Sequence, residues 1–530
     1  MTGLLHRSPL ARICGGMTAD EPPAWWQRRI SWAAILIVAI LPLLWPPLPP
    51  LVDLPGHAAR WHIAMADAAS PLSRYYAIHW ALIGNLGTDL LGIPLAHLVG
   101  VLAAAKLIII LIMLLTVIGM LWLSAEAHGR VAPTALFALP FAYGWPFQMG
   151  FANFLLAQAL ALCALALWLR LARTGRLRLR AAMSAPIATI LWIAHSAGWG
   201  LFGLMAFGAE LARLRELGRS WQASLGGATC ACVPLAFPVL IMLTNGPQSS
   251  GASDSGDWFN FRAKILWVIT SFHDRWAWFD IASLAPPLLI LYVAARDRRL
   301  GYSSLLGGPA LFCFGGFLLL PRLLFGGYYV DMRLVPAVWI LALLAIRPPP
   351  GRFADGLAFL GAGFFAVRIA ATTMSFALLA RAQHNELAAV DHIPRGAAVL
   401  ALVYRSCDTP WATIRGEHLP AYAIIARDAF TNEQWAIEGQ QYLRIRYRAA
   451  GSFDSAPSQL VDPAGCKKEL QDIDHAIATF PRRAFSHVWI IGYRPADPAR
   501  SGLRPVWTNL RSTLYEVVGS PAAGRVDPRR

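Results

Sequence analysis

VLAAAKLIIILIMLLTVIGMLWL, residues 101–123, decides the fold class. Its only charge is Lys106, near one end, and as a helix it would reach about 35 Å, more than the roughly 30 Å of hydrocarbon in a bilayer. A segment of this kind needs lipid as its solvent. Working outward, comparable apolar runs occupy residues 30–48, 131–145, 150–171, 181–194, 197–214, 223–243, 281–295, 303–320, 334–346 and 355–379. Together they predict a polytopic α-helical membrane protein of about eleven spans, with the shorter runs tilted or re-entrant. Composition agrees: the 530 residues are 56% hydrophobic and only 14% charged, well below the roughly 25% charged of soluble chains.

The remaining charge is lopsided, Lys+Arg 46 against Asp+Glu 30, a net charge of +16. The arginines lie in short clusters between apolar runs rather than in a basic, aromatic-interleaved domain, which argues for topology signals and against nucleic-acid binding. One set of span ends carries Arg7, Arg12, Arg28 and Arg29, then Arg130, then Arg170, Arg173, Arg176, Arg178 and Arg180. The series continues with Arg213, Arg215 and Arg219, then Arg296, Arg298 and Arg299, and ends at Arg347 and Arg352. The alternation puts residues 1–29 in the cytoplasm, the spans within residues 30–380, and everything beyond on the periplasmic side of a bacterial inner membrane. The first run ends in prolines with no small-residue cleavage site, so it reads as a span rather than a removed signal.

Beyond about residue 381 the composition changes. Short strand-like runs at residues 398–404, 422–426, 487–493 and 513–518, separated by polar stretches such as 466–479, predict a small α/β domain over residues 381–520. Residues 521–530 read as a disordered tail. Cys407 and Cys466 both fall in this third and are available for a disulfide if it faces an oxidising compartment. No CxxC pair, P-loop, Gly-x-Ser-x-Gly elbow or His-Glu-x-x-His occurs.

Polar residues at the outer span ends are the candidate functional groups. Asp53 opens the long first outer loop, residues 49–100, with His57 and Arg60 four and seven residues on. A carboxylate at the membrane–water boundary suits a general base. If the stretch is helical all three share a face, although Pro55 and Gly56 argue against a regular start. The plainer reading makes Asp53 a helix cap and Arg60 a contact for phospholipid head groups. A further helix is expected around residues 88–99. Asp331 and Arg333 end another outer loop. Arginine suits a phosphate because its fork is bidentate and always charged, and a snorkelling Arg beside an Asp at a helix start is the alternative. His195 either lines a cavity or bonds a neighbouring carbonyl. Arg368 lies mid-span and must have a partner that the sequence does not name. Asp53 and Asp331 are also the oxygen ligands on offer to a divalent metal.

Several of these stretches resemble one family. Pro49-Pro50-Leu51-Val52-Asp53-Leu54-Pro55-Gly56-His57-Ala58-Ala59-Arg60 is similar to the DYPNHLAR signature after the first span of a group of bacterial multi-pass proteins that itself resembles GT-C-type glycosyltransferases. Gly150-Phe151-Ala152-Asn153-Phe154-Leu155 resembles its GFLNYL stretch, and Asp331-Met332-Arg333-Leu334 its D-x-R-L. His418, Asp428-Ala429-Phe430 and Gly439-Gln440-Gln441 resemble its outer domain. Leu54 and Gly56 stand where that signature has Tyr and Asn, and Asp53 has no acidic neighbour before Asp67. The resemblance implies an enzyme that moves a sugar, with inversion, from a polyprenyl-phosphate carrier to an envelope glycan, lipid or protein. It further implies Asp53 as base, with Arg333, His57 and Arg60 near the donor phosphate; Asp331 and His195, from their place at outer span ends, complete the candidate phosphate-binding set. A non-enzymatic assembly or export protein with a periplasmic binding domain is the alternative, and a secondary transporter is a third.

Overall fold

The computed structural model describes residues 23–244, 255–407, 411–413, 415–437, 439–463, 466, 470–494 and 502–519. Expectations for Arg7, Arg12 and the tail 521–530 lie outside them, as does part of the outer loop at 245–254.

Helices dominate. In chain order they are α1 Arg29–Leu44, α2 Leu54–Met65, α3 Gly87–Val99, α4 Val101–His128, α5 Ala152–Arg173, α6 Leu177–Ala194 and α7 Ser196–Glu216. They continue as α8 Trp221–Thr244, α9 Phe261–Ile269, α10 Ala277–Arg296, α11 Ser304–Leu319, α12 Val335–Ala345, α13 Arg352–Leu387, α14 Ala421–Arg427 and α15 Ile473–Thr479. Among the described residues, six of these helices (α4, α5, α6, α8, α10 and α13, the last counted with its continuation to His392) are long and apolar enough to cross a membrane, with α1, α3, α11 and the helix from Met332 to Ala345 shorter apolar helices. Their outer surfaces are the test of solvent. In α8 only 17% of the most apolar window is buried within the protein; Leu240 and Leu243 stand exposed on it, as do Leu289 on α10, Leu311 on α11 and Phe359 on α13. Such bare apolar faces belong against lipid.

The run at 131–145 is not a regular helix. Pro133, Pro140 and Pro146 break it into a helical turn Ala135–Ala138, a 3-10 stretch Leu139–Tyr143 and a turn Trp145–Met149. It still traverses the bundle: the Val131 carbonyl accepts the Trp26 indole N–H at 3.1 Å, and the Met149 carbonyl accepts Asp53 N–H at 3.0 Å. Broken backbone at this depth survives because it is buried in protein on all sides.

Two ends of the bundle differ. At one lie the arginine clusters, where Arg180 and Arg213 bracket Glu210 at 2.7 and 2.5 Å. At the other sits a mixed sheet. Its strands are β2 Ala398–Tyr404, β3 Phe430–Thr431, β5 Leu460–Asp462, β6 Gln471–Asp472, β7 His487–Ile491, β8 Leu503–Thr508 and β9 Thr513–Val517. Two more, β1 Tyr76–Ile78 and β4 Leu443–Ile445, pair antiparallel and tie the first loop to this end. The order is β6-β5-β2-β7-β9-β8, with β3 also beside β2. The links β6/β5/β2/β7 and β2/β3 are parallel, and β9 is antiparallel to both β7 and β8. The expected strand at 422–426 is instead the helix α14: a short apolar run carries no period that separates the two, and this one is alanine-rich and starts after Pro420. Cys407 and Cys466 form a disulfide.

Buried ion pairs clamp the sheet end to the bundle. Arg415 donates to the Pro50 carbonyl at 2.5 Å, to Gln148 Oε1 at 2.7 Å and to Asp274 Oδ1 at 2.7 Å. The mid-span Arg368 finds its partner in Asp280 at 2.9 Å.

Candidate active site

Asp53 stands in the turn between α1 and α2. Val52 and Asp53 N–H groups donate to the Gln148 and Met149 carbonyls at 3.3 and 3.0 Å. Gly150, at φ +78°, closes against this turn, and a Cβ there would lie 3.0 Å from Asp53 N. From the other side Arg415 holds Pro50. The turn is thus fixed by the broken helix and by the sheet domain together.

The carboxylate itself is left free. Asp53 occupies the N-cap position of α2, yet its side chain makes no capping bond, and Pro55 is accommodated in the first helical turn, where no N–H is needed. The side chain keeps 17% of its surface exposed. Burial raises its pKa to about 6. His418 when protonated, Arg333 and Arg60 pull the other way, and Glu433 adds to the rise.

His57 and Arg60 follow on α2. Arg60 is fully buried and its guanidinium is occupied. Nε and Nη2 donate to Asp89 at 2.8–3.1 Å, and Nη1 donates to Gln441 Oε1 at 2.9 Å. Asp89 also accepts from Trp61, Tyr442 and Asn153. Arg60 Nη2 lies 2.8 Å from His57 Nδ1, so that nitrogen accepts and the ring hydrogen sits on Nε2. Burial, with Arg60 beside it, pushes the His57 pKa down to about 3, so the ring is neutral.

Arg333, in the turn before α12, is surrounded differently. Among the described residues no carboxylate lies within ion-pair distance of it, and its Nε is buried without a partner. Its guanidinium lies over Phe151 and Phe154, 4.8 and 5.5 Å from the ring centroids. Nη1 approaches His195 Nε2 at 2.9 Å. His195 Nδ1 accepts from Ala197 N–H at 3.0 Å at the start of α7, which puts the hydrogen on Nε2. Two donors therefore meet at one edge, and one anionic oxygen beside the pair would satisfy both. Arg333 and Asp53 also act on each other's charge.

Asp331 is turned to another task. Its Oδ2 takes the ammonium of buried Lys264 at 3.1 Å and its Oδ1 accepts Met332 N–H at 2.8 Å. Both of its oxygens are thus engaged within the turn that carries Arg333. Among the described residues no group of three or more His, Cys, Asp or Glu side chains is placed to hold a metal ion.

The sheet domain brings residues that the sequence alone did not connect with Asp53. His418 precedes α14, and Glu433, Gln434 and Trp435 follow β3. His418 Nε2 lies 3.8 Å from Asp53 Oδ1, and its Nδ1 lies 2.6 Å from Glu433 Oε2. Trp435 covers the His418 ring at a centroid distance of 4.1 Å. The packing explains Gly56, because a Cβ there would meet Trp435 at 2.9 Å and His418 Nδ1 at 3.2 Å. His418 carried a family resemblance only; Glu433 carried no signal, sitting in a polar run that reads as solvated loop yet is fully buried.

No family model and no curated protein matches the chain. Among solved structures it is similar to ArnT from Cupriavidus metallidurans. With the apo crystal structure it shares 15% identity and a TM-score of 0.49 over 94% of this chain and 98% of that one. With the crystal structure of ArnT bound to undecaprenyl phosphate it shares 14% identity and a TM-score of 0.48 over 95% of this chain and 100% of that one.

Proposed function

We propose that this protein is a GT-C-type membrane glycosyltransferase that moves a sugar from a polyprenyl-phosphate carrier to an envelope glycan, lipid or protein, with Asp53 as the base. The observation that carries the reading is the pairing of a partly open carboxylate that makes no capping bond with a phosphate-suited arginine that has no carboxylate within ion-pair distance among the described residues. In the reaction the acceptor hydroxyl gives its proton to Asp53 and its oxygen bonds to the anomeric carbon. The bond from that carbon to the carrier phosphate breaks, and its electron pair leaves on the phosphate. Arg333 and the Nε2–H of His195 receive that charge. One base and one displacement give inversion without a covalent intermediate. His57 and Arg60 shape the floor of the site rather than bind the phosphate. Asp331 supports the Arg333 turn through Lys264.

The reaction faces the periplasm on this reading. The arginine clusters lie at the end opposite the sheet domain, as the positive-inside rule requires of a cytoplasmic face, and the Cys407–Cys466 disulfide suits an oxidising compartment. The direct test compares membranes carrying the wild type and Asp53→Asn at equal protein level, with lipid-linked sugars read by mass spectrometry. The variant should accumulate an unconsumed polyprenyl-phosphate sugar. Identical pools, with the wild type demonstrably folded, would remove the transferase reading and leave the assembly protein.

A further inference from the structure

The proposed reaction leaves a proton on Asp53 at every turnover, and the transferred sugar does not carry it away. With product over its open side, a carboxylate with only 17% of its surface exposed needs another group to hold that proton. The groups that face Asp53 are Arg333 from the turn before α12, Arg60 from α2, and His418 and Glu433 from the sheet domain. The two arginines are donors only. Glu433 is spoken for: its Oε2 lies 2.6 Å from His418 Nδ1, and its Oε1 accepts Gln434 Nε2 at 2.6 Å. That leaves His418.

The geometry of His418 suits the task. A buried carboxylate on Nδ1 takes the Nδ1–H, so the lone pair lies on Nε2, the nitrogen directed at Asp53 Oδ1 across 3.8 Å. A movement of about 1 Å converts that gap into a hydrogen bond. The carboxylate behind the ring also stabilises the imidazolium once it forms, the logic by which a carboxylate supports a histidine base. Gln434 fixes the support, donating to the Gly56 carbonyl at 3.1 Å as well as to Glu433. The ring is 3% exposed and covered by Trp435, and His57 is the remaining titratable group facing it. A histidine needed only to dock two domains would not require a fully buried carboxylate behind it, nor its free nitrogen turned to the base.

Resting on the transferase reading, we infer that His418, held by Glu433, is the residue that accepts the proton from Asp53 after each transfer, so that the sheet domain is half of the active site and not a module docked on it. The proton passes from Asp53 Oδ1 to His418 Nε2 while Nδ1–H stays on Glu433. Asp53 returns to the carboxylate, and once product has left, the imidazolium hands the proton back through the open edge of Asp53 to water. His418 thus acts through Asp53 and touches no substrate.

The test uses the full chain in membranes and two readouts. The first is pH-dependent carbodiimide labelling of Asp53, read by mass spectrometry, which needs no substrate. Loss of the imidazolium in His418→Asn should raise the labelling midpoint by about one pH unit; Glu433→Gln also removes a charge that itself raises the Asp53 pKa, so it is read in the rate, which should fall by less than in His418→Asn. The second is the rate at which the membrane's polyprenyl-phosphate sugar is consumed. It should fall at least about tenfold in His418→Asn, with its acid limb moved to higher pH. If His418→Asn keeps the wild-type midpoint and both variants keep the wild-type rate and pH profile, His418 is only a docking residue and the inference fails. The transferase reading fails separately, when Asp53→Asn consumes the lipid-linked sugar as the wild type does. Glu433→Gln keeps the test decisive if His418→Asn does not accumulate.

Discussion

Arg60 and Arg333 both act on Asp53, and their surroundings are opposite. Arg60 is sealed at 0% exposure against an Asp89 that three further donors also satisfy. Arg333 lies against two aromatic rings and the N–H edge of a histidine, with one nitrogen unpartnered. A buried charge whose every hydrogen bond is made is part of the fold. One that has been brought to the same place and left without an anion is a place for a ligand. The comparison separates two arginines that the sequence placed in one role.

The largest effect expected is on activity. Asp53→Asn should lower sugar transfer by about two orders of magnitude or more while the protein accumulates normally. Its stability should rise rather than fall. The folded pKa of Asp53, about 6, lies above the ordinary aspartate value of about 3.9. The folded state therefore holds the proton more tightly, and the stability contribution of this group falls as pH rises from about 4 to about 6 and is constant above. Removing the charge recovers at most about 3 kcal/mol at neutral pH, readable as a higher thermal midpoint.

Next come the arginines themselves. Asp89→Asn strands the Arg60 charge in a dry interior and should cost about 3–5 kcal/mol, seen as a lower thermal midpoint or poor accumulation. Arg333→Ala should leave that midpoint within about 1 kcal/mol of the wild type and weaken phosphate-bearing lipid instead. Equal destabilisation by both would break the contrast. A smaller effect is expected at Gly56→Ala, where the added methyl meets Trp435 and His418. It should cost about 1–3 kcal/mol and slow transfer through the displaced histidine. The gentlest test is the pH profile: activity should rise through about pH 6 as Asp53 loses its proton. A flat profile between pH 5 and pH 7 would deny the carboxylate its role as base.

The membrane fold was legible because long apolar runs and arginine asymmetry are local signals, and α4 illustrates both. The broken segment at 131–149 was legible as apolar but not as broken, although Pro133, Pro140 and Pro146 marked it; burial within the bundle, invisible to a hydropathy window, is what tolerates them. Asp53, His195 and Arg333 stood out as polar residues at outer span ends. The occupation of Arg60 by Asp89 could not be read, because α2 meets α3 only in three dimensions. Glu433 was invisible for a related reason: Thr431-Asn432-Glu433-Gln434 is polar enough to read as surface, and only the docking of the sheet domain buries it.

The most direct test of the central claim is equilibrium binding of a polyprenyl phosphate to the purified full chain in nanodiscs, wild type against Arg333→Ala, with thermal midpoints matched. The account predicts saturable binding that weakens about ten- to a hundredfold in the variant, the worth of a charge-assisted bond to phosphate. Indistinguishable binding by the two proteins would contradict it.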